Sequence, residues 1–180
     1  MPGARVASGE RVTLRTAEAE DIPFLQRAGA NPELRYSLGH KVKNQGQYEI
    51  SANRTGPDIL IVCLENEEPA DGADGVTRIG QIAVMDGHYK RPELGYWLVP
   101  EVHGEGYGNE SVSLVIDYVF RSYNTPAIGA QAFDFNEASR GLLESLGFTE
   151  EGRKRQYMFV DGAHRDMVQY GLLREEWDGA

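Results

Sequence analysis

At 180 residues the chain is long enough for one domain with a sizeable core, with residues 1–9 as a loose lead-in. Its 28 acidic residues outnumber 18 basic ones, giving a formal charge of -10, and only four of the basic residues are lysines (Lys41, Lys43, Lys90 and Lys154). That balance repels phosphate backbones and argues against nucleic-acid binding, while the lack of a leader-like or bilayer-length apolar stretch excludes a membrane role and points to the cytoplasm.

Val12 to Arg15 alternates as a first strand. Ala19–Ala28 reads as a helix with Ile22, Phe24 and Leu25 inward, and Pro23 sits early enough for a first turn. Asn31-Pro32 breaks that pattern, and a second helix follows over Asn44–Arg54, closed by Gly56-Pro57. Ile59–Leu64 and Ile79–Met85 are strands joined by the acidic, Gly- and Pro-containing loop Glu65–Thr77. The single Cys63 lies inside the first of these apolar runs, which suits packing rather than reactivity.

The strand Glu93–Val99 leads into His103-Gly104-Glu105-Gly106-Tyr107-Gly108, and an amphipathic helix runs from Asn109 to Tyr123. Three glycines directly before a helix let backbone N–H groups converge, and the helix N-terminus adds unpaired donors, so the loop is built for an anion such as a pyrophosphate. No Lys-Ser/Thr follows, and Asn109 stands where a dinucleotide fingerprint needs its third glycine. After the strand Ile128–Phe133 comes the helix Glu137–Leu146, with Asn136 as N-cap and Gly147 as stop. Tyr157–Val160, a turn at Asp161-Gly162 and Arg165–Leu173 close the chain as a hairpin.

The succession of Pro100-Glu101, the His103 to Glu110 loop, Asn136-Glu137-Ala138-Ser139 and Leu146-Gly147-Phe148 resembles the GCN5-related N-acetyltransferases. It is most similar to the branch of the ribosomal-protein N-terminal acetyltransferases, over roughly residues 10–177. The resemblance implies a mixed α/β fold: a mostly antiparallel sheet of about seven strands, splayed at a cofactor cleft and flanked by about four helices. It implies acetyl-CoA as co-substrate, with no metal. Backbone groups of Trp97, Leu98 and Val99 would pair with the pantetheine arm. The N–H groups of His103, Gly104, Glu105, Gly106, Tyr107, Gly108 and Asn109 would hold the pyrophosphate, and Asn136 would bond near the pantetheine end. Homodimers are common among relatives, which extends that expectation to this chain.

Two residues depart from the pattern. His103 stands where Arg or Gln usually opens the loop, and Glu105 stands where a base is common, at a cost of about 1 kcal/mol in cofactor binding if it faces the phosphates. The tyrosine that protonates the thiolate in many relatives is replaced by Leu143. The resemblance offers Ser139 instead, which reads equally well as a first-turn helix serine. Glu93 is the candidate base through water, or else a solvated strand-end carboxylate. Glu110 suits the helix dipole. Tyr89, Tyr96 and Trp97 line an acceptor pocket or pack in the core, and Arg153-Lys154-Arg155 greets an acidic acceptor or guards a strand edge.

The reading is direct acetyl transfer to an amine in a ternary complex, since no cysteine lies near the site to carry an acyl group. The acceptor is a protein N-terminus or a small amine, with the acidic surface favouring a cationic one. A silent acyl-CoA-binding module is the alternative, and a nucleotide-binding protein a more distant one. Excess acid with scarce lysine suits a halophilic, salt-rich setting, or simply acidic solubility.

Overall fold

The computed structural model describes residues 3–52, 58–65, 75–87 and 90–180. Its strands are β1 (Arg5–Ser8), β2 (Val12–Thr16), β3 (Asp58–Glu65), β4 (Val76–Gly87), β5 (Lys90–Leu98), β6 (Ala127–Phe133), β7 (Thr149–Val160) and β8 (Ala163–Leu173). The helices are α1 (Ile22–Ala30), α2 (Pro32–Leu38), α3 (Gln45–Ala52), α4 (Tyr107–Ser122) and α5 (Glu137–Ser145). All eight strands join one sheet in the order β1-β2-β3-β4-β5-β6-β8-β7. Every neighbouring pair is antiparallel except β5 and β6, so the mixed fold class expected from the sequence holds, with one more strand and one more helix than anticipated.

The period-2 pattern of the strands sends alternate residues to two cores. Val12, Leu14, Leu60, Val62, Ile82 and Val84 face α4, whose Val112, Val115, Ile116 and Val119 are all at most 1% exposed. Each such burial contributes about 2 kcal/mol, which fixes α4 against the sheet and with it the loop that precedes it. The other face carries Ile61, Cys63 and Val76 under α1, with Phe24, Tyr48 and Trp97 packed on them. Burial pushes the Cys63 thiol up to about 11, so it packs and does not react near neutrality.

Three local readings change. The lead-in holds β1, which pairs with β2 because Ala4 to Ser8 can form the second arm of a hairpin around Gly9-Glu10. Asn31-Pro32 starts a helix as well as ending one: the Asn31 side chain accepts from the Glu33 N–H at 3.0 Å, Pro32 fills the first helical position, and Gly39 closes α2 in the left-handed region. The last hairpin is longer than read, since β7 begins at Thr149. Its charged sequence hid it, and that charge suits its place at the sheet edge. There Arg153 reaches Asp134 and Asp166, and Lys154 reaches Gln131, so the basic run is tied into the edge. The end of the second expected helix, most of the Glu65–Thr77 loop, and Tyr89 lie outside the described residues. Among the described residues no helix is long and apolar enough to cross a membrane, and no group of His, Cys, Asp and Glu gathers as a metal site.

Candidate functional site

The parallel pair at the centre of the sheet is short. β5 and β6 register only at Glu93 with Gly129 and Leu94 with Ala130, and beyond that point the strands part. Backbone direction alternates along β5, so its residues divide between the two sides. The Val99 N–H donates to the Ile79 carbonyl at 2.8 Å, and the Trp97 carbonyl faces Gly80, where a Cβ would lie 2.3 Å away. Trp97 and Val99 are therefore committed to β4, and of the three backbone groups expected to meet the pantetheine arm only Leu98 faces the gap. Tyr96, two residues back, has the same outlook.

The Leu98 carbonyl already has a partner. It accepts from His103 Nε2 at 2.9 Å, which fixes that nitrogen as the protonated one. His103 thus folds back on β5 rather than reaching toward an anion. The loop beyond it is shaped by Gly104 and Gly106, at φ +82° and +84°, a conformation that side chains with a Cβ rarely adopt. Gly108 serves a different end: a Cβ there would meet Leu142 of α5 at 2.9 Å, so glycine lets α4 and α5 close together. Gly106 caps α4 with no side-chain bond, and the first helical bond runs from the Glu110 N–H to the Gly106 carbonyl. The N–H groups of Tyr107, Gly108 and Asn109 consequently point out of the helix toward the loop, the arrangement a pyrophosphate fits. The Asn109 side chain donates to Ser145 of α5 at 3.2 Å, and Glu105 is exposed.

A cation missing from the loop comes from elsewhere. Arg11, on the β1–β2 turn, donates through Nη1 to the Glu105 carbonyl at 2.8 Å and lies over the Tyr107 ring. Glu110 anchors that turn, accepting from the Arg11 and Val12 N–H groups at 2.7 and 3.2 Å and from Arg11 Nε at 3.2 Å. Burial would raise the Glu110 pKa, but these bonds and the Arg11 charge bring it below the ordinary value. The dipole-side carboxylate is thus a structural clamp. Arg11→Ala should weaken acetyl-CoA binding about five- to tenfold, by freeing the loop and removing a positive charge beside it. Isothermal titration gives the number, and an unchanged affinity would remove Arg11 from this role.

Across the gap, Asn136 accepts from the Ser139 N–H at 3.1 Å and so caps α5. Ser139 Oγ lies 2.8 Å from the Tyr96 hydroxyl, so a phenol from β5 and a hydroxyl from α5 bridge the two lips of the opening. Burial pushes the Tyr96 pKa up to about 12, its bond to Ser139 only partly offsetting this. Leu143 is fully buried in the core. Tyr96 was legible only as a pocket or core aromatic; the signal for its role is that it alternates with Leu94 and Leu98 and so faces α5. Glu93 is held by Lys90 at 3.0 Å and by Gln131 at 2.8 Å. Burial works to raise its pKa, yet these bonds and the nearby lysine charges leave it lowered.

On the other face of β5 a cavity of about 140 Å³ opens under α1 and α2. Its floor includes Ile22, Leu25, Leu34 and Trp97. Trp97 stacks obliquely on Phe24, with ring centroids 5.8 Å apart, and adjoins Leu98 in the gap. The cavity and the cleft therefore approach one another through a single strand.

Comparisons with known proteins agree with this layout. A family model described as an acetyltransferase (GNAT) domain matches residues 11–149. The uncharacterized N-acetyltransferase p20 of Bacillus licheniformis is 31% identical, over 94% of this chain and 97% of its own. The [ribosomal protein uS5]-alanine N-acetyltransferase of Escherichia coli is 32% identical over 52% of this chain and 48% of its own. Two Bacillus subtilis relatives, each 36% identical, are matched over only 52% and 60% of their lengths, so this chain spans little more than half of them. The crystal structure of spermidine N-acetyltransferase from Vibrio cholerae, in complex with CoA and spermine, superposes with a TM-score of 0.78 at 20% identity. That superposition covers 93% of this chain and 98% of the other.

Proposed function

Because the chain belongs to the GNAT acetyltransferase family, we propose that it is a single-domain enzyme passing an acetyl group from acetyl-CoA directly to an amine in a ternary complex. The observation that carries this reading is the early parting of β5 and β6, which leaves the Leu98 backbone, the glycine loop and the Tyr96–Ser139 pair around one opening. Acetyl-CoA supplies the thioester carbonyl that the amine attacks. The loop N–H groups from Tyr107 to Asn109 hold its pyrophosphate, and Asn136 and the Leu98 backbone hold its pantetheine arm. His103 then serves as a placeholder that gives up the Leu98 carbonyl on binding. The Leu98 N–H and the Tyr96 hydroxyl are the donors available to a developing oxyanion.

Glu93 takes the amine proton through a water. Its lowered pKa keeps it ionised through neutral pH and makes it a weak base, so the rise of rate with pH follows the amine itself. Glu93→Gln should lower kcat about tenfold without moving the profile between about pH 6 and 9. A shifted profile would mean that Glu93 sets the observed ionisation.

The acceptor is an amine, as for the relatives named after ribosomal-protein and spermidine substrates. The test is release of free CoA thiol from acetyl-CoA with a panel of peptides and amines. Tight acetyl-CoA binding with no thiol released for any of them would refute the enzyme and leave a binding module. Acid excess with four lysines supports a salt-rich setting, and a melting temperature that climbs with added KCl up to molar concentration is its check.

A further inference from the structure

Net charge describes the whole surface, but recognition depends on the charges within about a Debye length of the ligand. The cavity under α1 and α2 is the reverse of its surroundings. Arg35, His40, Lys41 and Lys43 line it beside the apolar floor, so two of the four lysines in the chain stand at this one opening. From Leu34 to Tyr48 the sequence has three full positive charges and no acidic residue, within a chain of net charge -10.

These cations are not consumed by the fold. Among the described residues no carboxylate bridges Arg35, Lys41 or Lys43. Arg35 donates to the Tyr36 hydroxyl at 3.0 Å and lies over its ring, and the Lys43 ammonium sits 5.7 Å from the Tyr48 ring centroid. Glu18 is the one carboxylate among the lining residues, and it accepts from Thr16 Oγ1 at 2.9 Å. Partial desolvation beside the cavity, together with the Lys43 charge, lowers the His40 pKa, so the remaining basic group adds little charge of its own near neutrality.

We propose that this cavity receives the acceptor, and that the acceptor is an amine carrying negative charge a few bonds from the reacting nitrogen. The apolar floor beside Trp97 takes the end that reaches β5 and the transfer site, and the Arg35, Lys41 and Lys43 rim holds the anionic groups behind it. Rim charges spread over nine residues of chain match several anions rather than one, which favours the acidic N-terminal segment of a polypeptide over a small amino acid. A polyamine, with positive charge along its whole length, meets repulsion at this rim. The inference rests on the acetyltransferase reading and names its substrate class.

The test is thiol release from acetyl-CoA by the full chain at low ionic strength. Four acceptors are compared: a pentapeptide with a free α-amine followed by aspartates, the same peptide with lysines in their place, spermidine, and free glutamate. The acidic peptide should exceed the lysine peptide and spermidine by about tenfold or more in kcat/KM, with the gap narrowing as KCl is raised. The exposed pair K41E/K43E should erase or reverse the preference, and K41Q/K43Q should weaken it, with the melting temperature of each variant unchanged. Faster turnover of the acidic peptide than of glutamate assigns a polypeptide N-terminus, and the reverse assigns a small anionic amine; either supports the charge rule. Equal or better turnover of spermidine or the lysine peptide overturns it, as does an unchanged preference in K41E/K43E. Thiol release from no acceptor at all overturns the acetyltransferase reading itself.

Discussion

Gly106→Val is expected to weaken acetyl-CoA binding by at least about tenfold while the sheet and its two cores remain folded. Gly106 sits at φ +84°, where a β-branched residue costs about 1–3 kcal/mol, and it is the cap from which α4 starts. Relief of that strain rotates the Gly106 peptide and turns the N–H groups of Tyr107 and Gly108 away from the loop. A side chain at this position also meets Arg11 Nη2, 3.1 Å from the new Cβ. Arg11 can swing aside, but then its bond to the Glu105 carbonyl is lost, and the loop loses its external support. Gly104→Ala separates the two effects. Gly104 has a similar φ of +82° and no atom within 4 Å of a Cβ, so only backbone strain acts there. The expected order of affinity by isothermal titration is wild type, then Gly104→Ala, then Gly106→Val. Unaltered affinity in a folded Gly106→Val protein would show that the anion is held elsewhere.

The parts of this site that were readable from sequence are those encoded within one segment. The β5 strand, the glycine loop, α4, β6 and α5 follow one another in the chain, and each carries its own period, cap or stop. Asn136 capping through Ser139 is a three-residue relation and was visible as such. What escaped depends on elements brought together by the sheet. Arg11 meets Glu110 across 99 positions, and nothing near either residue foretells the contact. Tyr96 and Ser139 lie 43 positions apart, and their pairing follows from which face of β5 looks at α5. That face was in fact fixed by simple alternation with Leu94 and Leu98, but the aromatic character of the strand suggested packing instead. The expectation of three successive backbone groups at the cofactor meets the same principle: alternate residues of a strand address opposite neighbours, and the Val99 N–H goes to Ile79 while Leu98 faces the gap. Net charge speaks least to the acceptor, because a total over 180 residues carries no information about where the few lysines stand, and two of them line the cavity under α1 and α2.

The Tyr96–Ser139 pair yields the second large expected effect. Leu143 of α5 is fully buried, and the phenol of Tyr96 stands at the opposite lip against Ser139. Its pKa of about 12 limits what it can do. Passing its proton to a thiolate, with a thiol pKa near 8.5, is uphill by about 3.5 units or about 5 kcal/mol, so Tyr96 is a poor proton source. Donating a hydrogen bond to charge that builds up during transfer has no such cost, once the phenol turns its proton from the Ser139 carbonyl, to which it donates at 3.3 Å. Tyr96→Phe should therefore lower kcat by about ten- to a hundredfold, with the KM for acetyl-CoA within about twofold and a stability loss of about 1 kcal/mol. Ser139→Ala should act less, since it removes only the group that orients the phenol. The double variant should match Tyr96→Phe alone, because both changes break one hydrogen-bonded unit. Multiplying effects would instead give Ser139 an independent role as the acid, and a Tyr96→Phe enzyme with full kcat would reduce the pair to packing. Since a phenol near 12 stays protonated below about pH 11, none of these variants should shift the neutral-range pH profile.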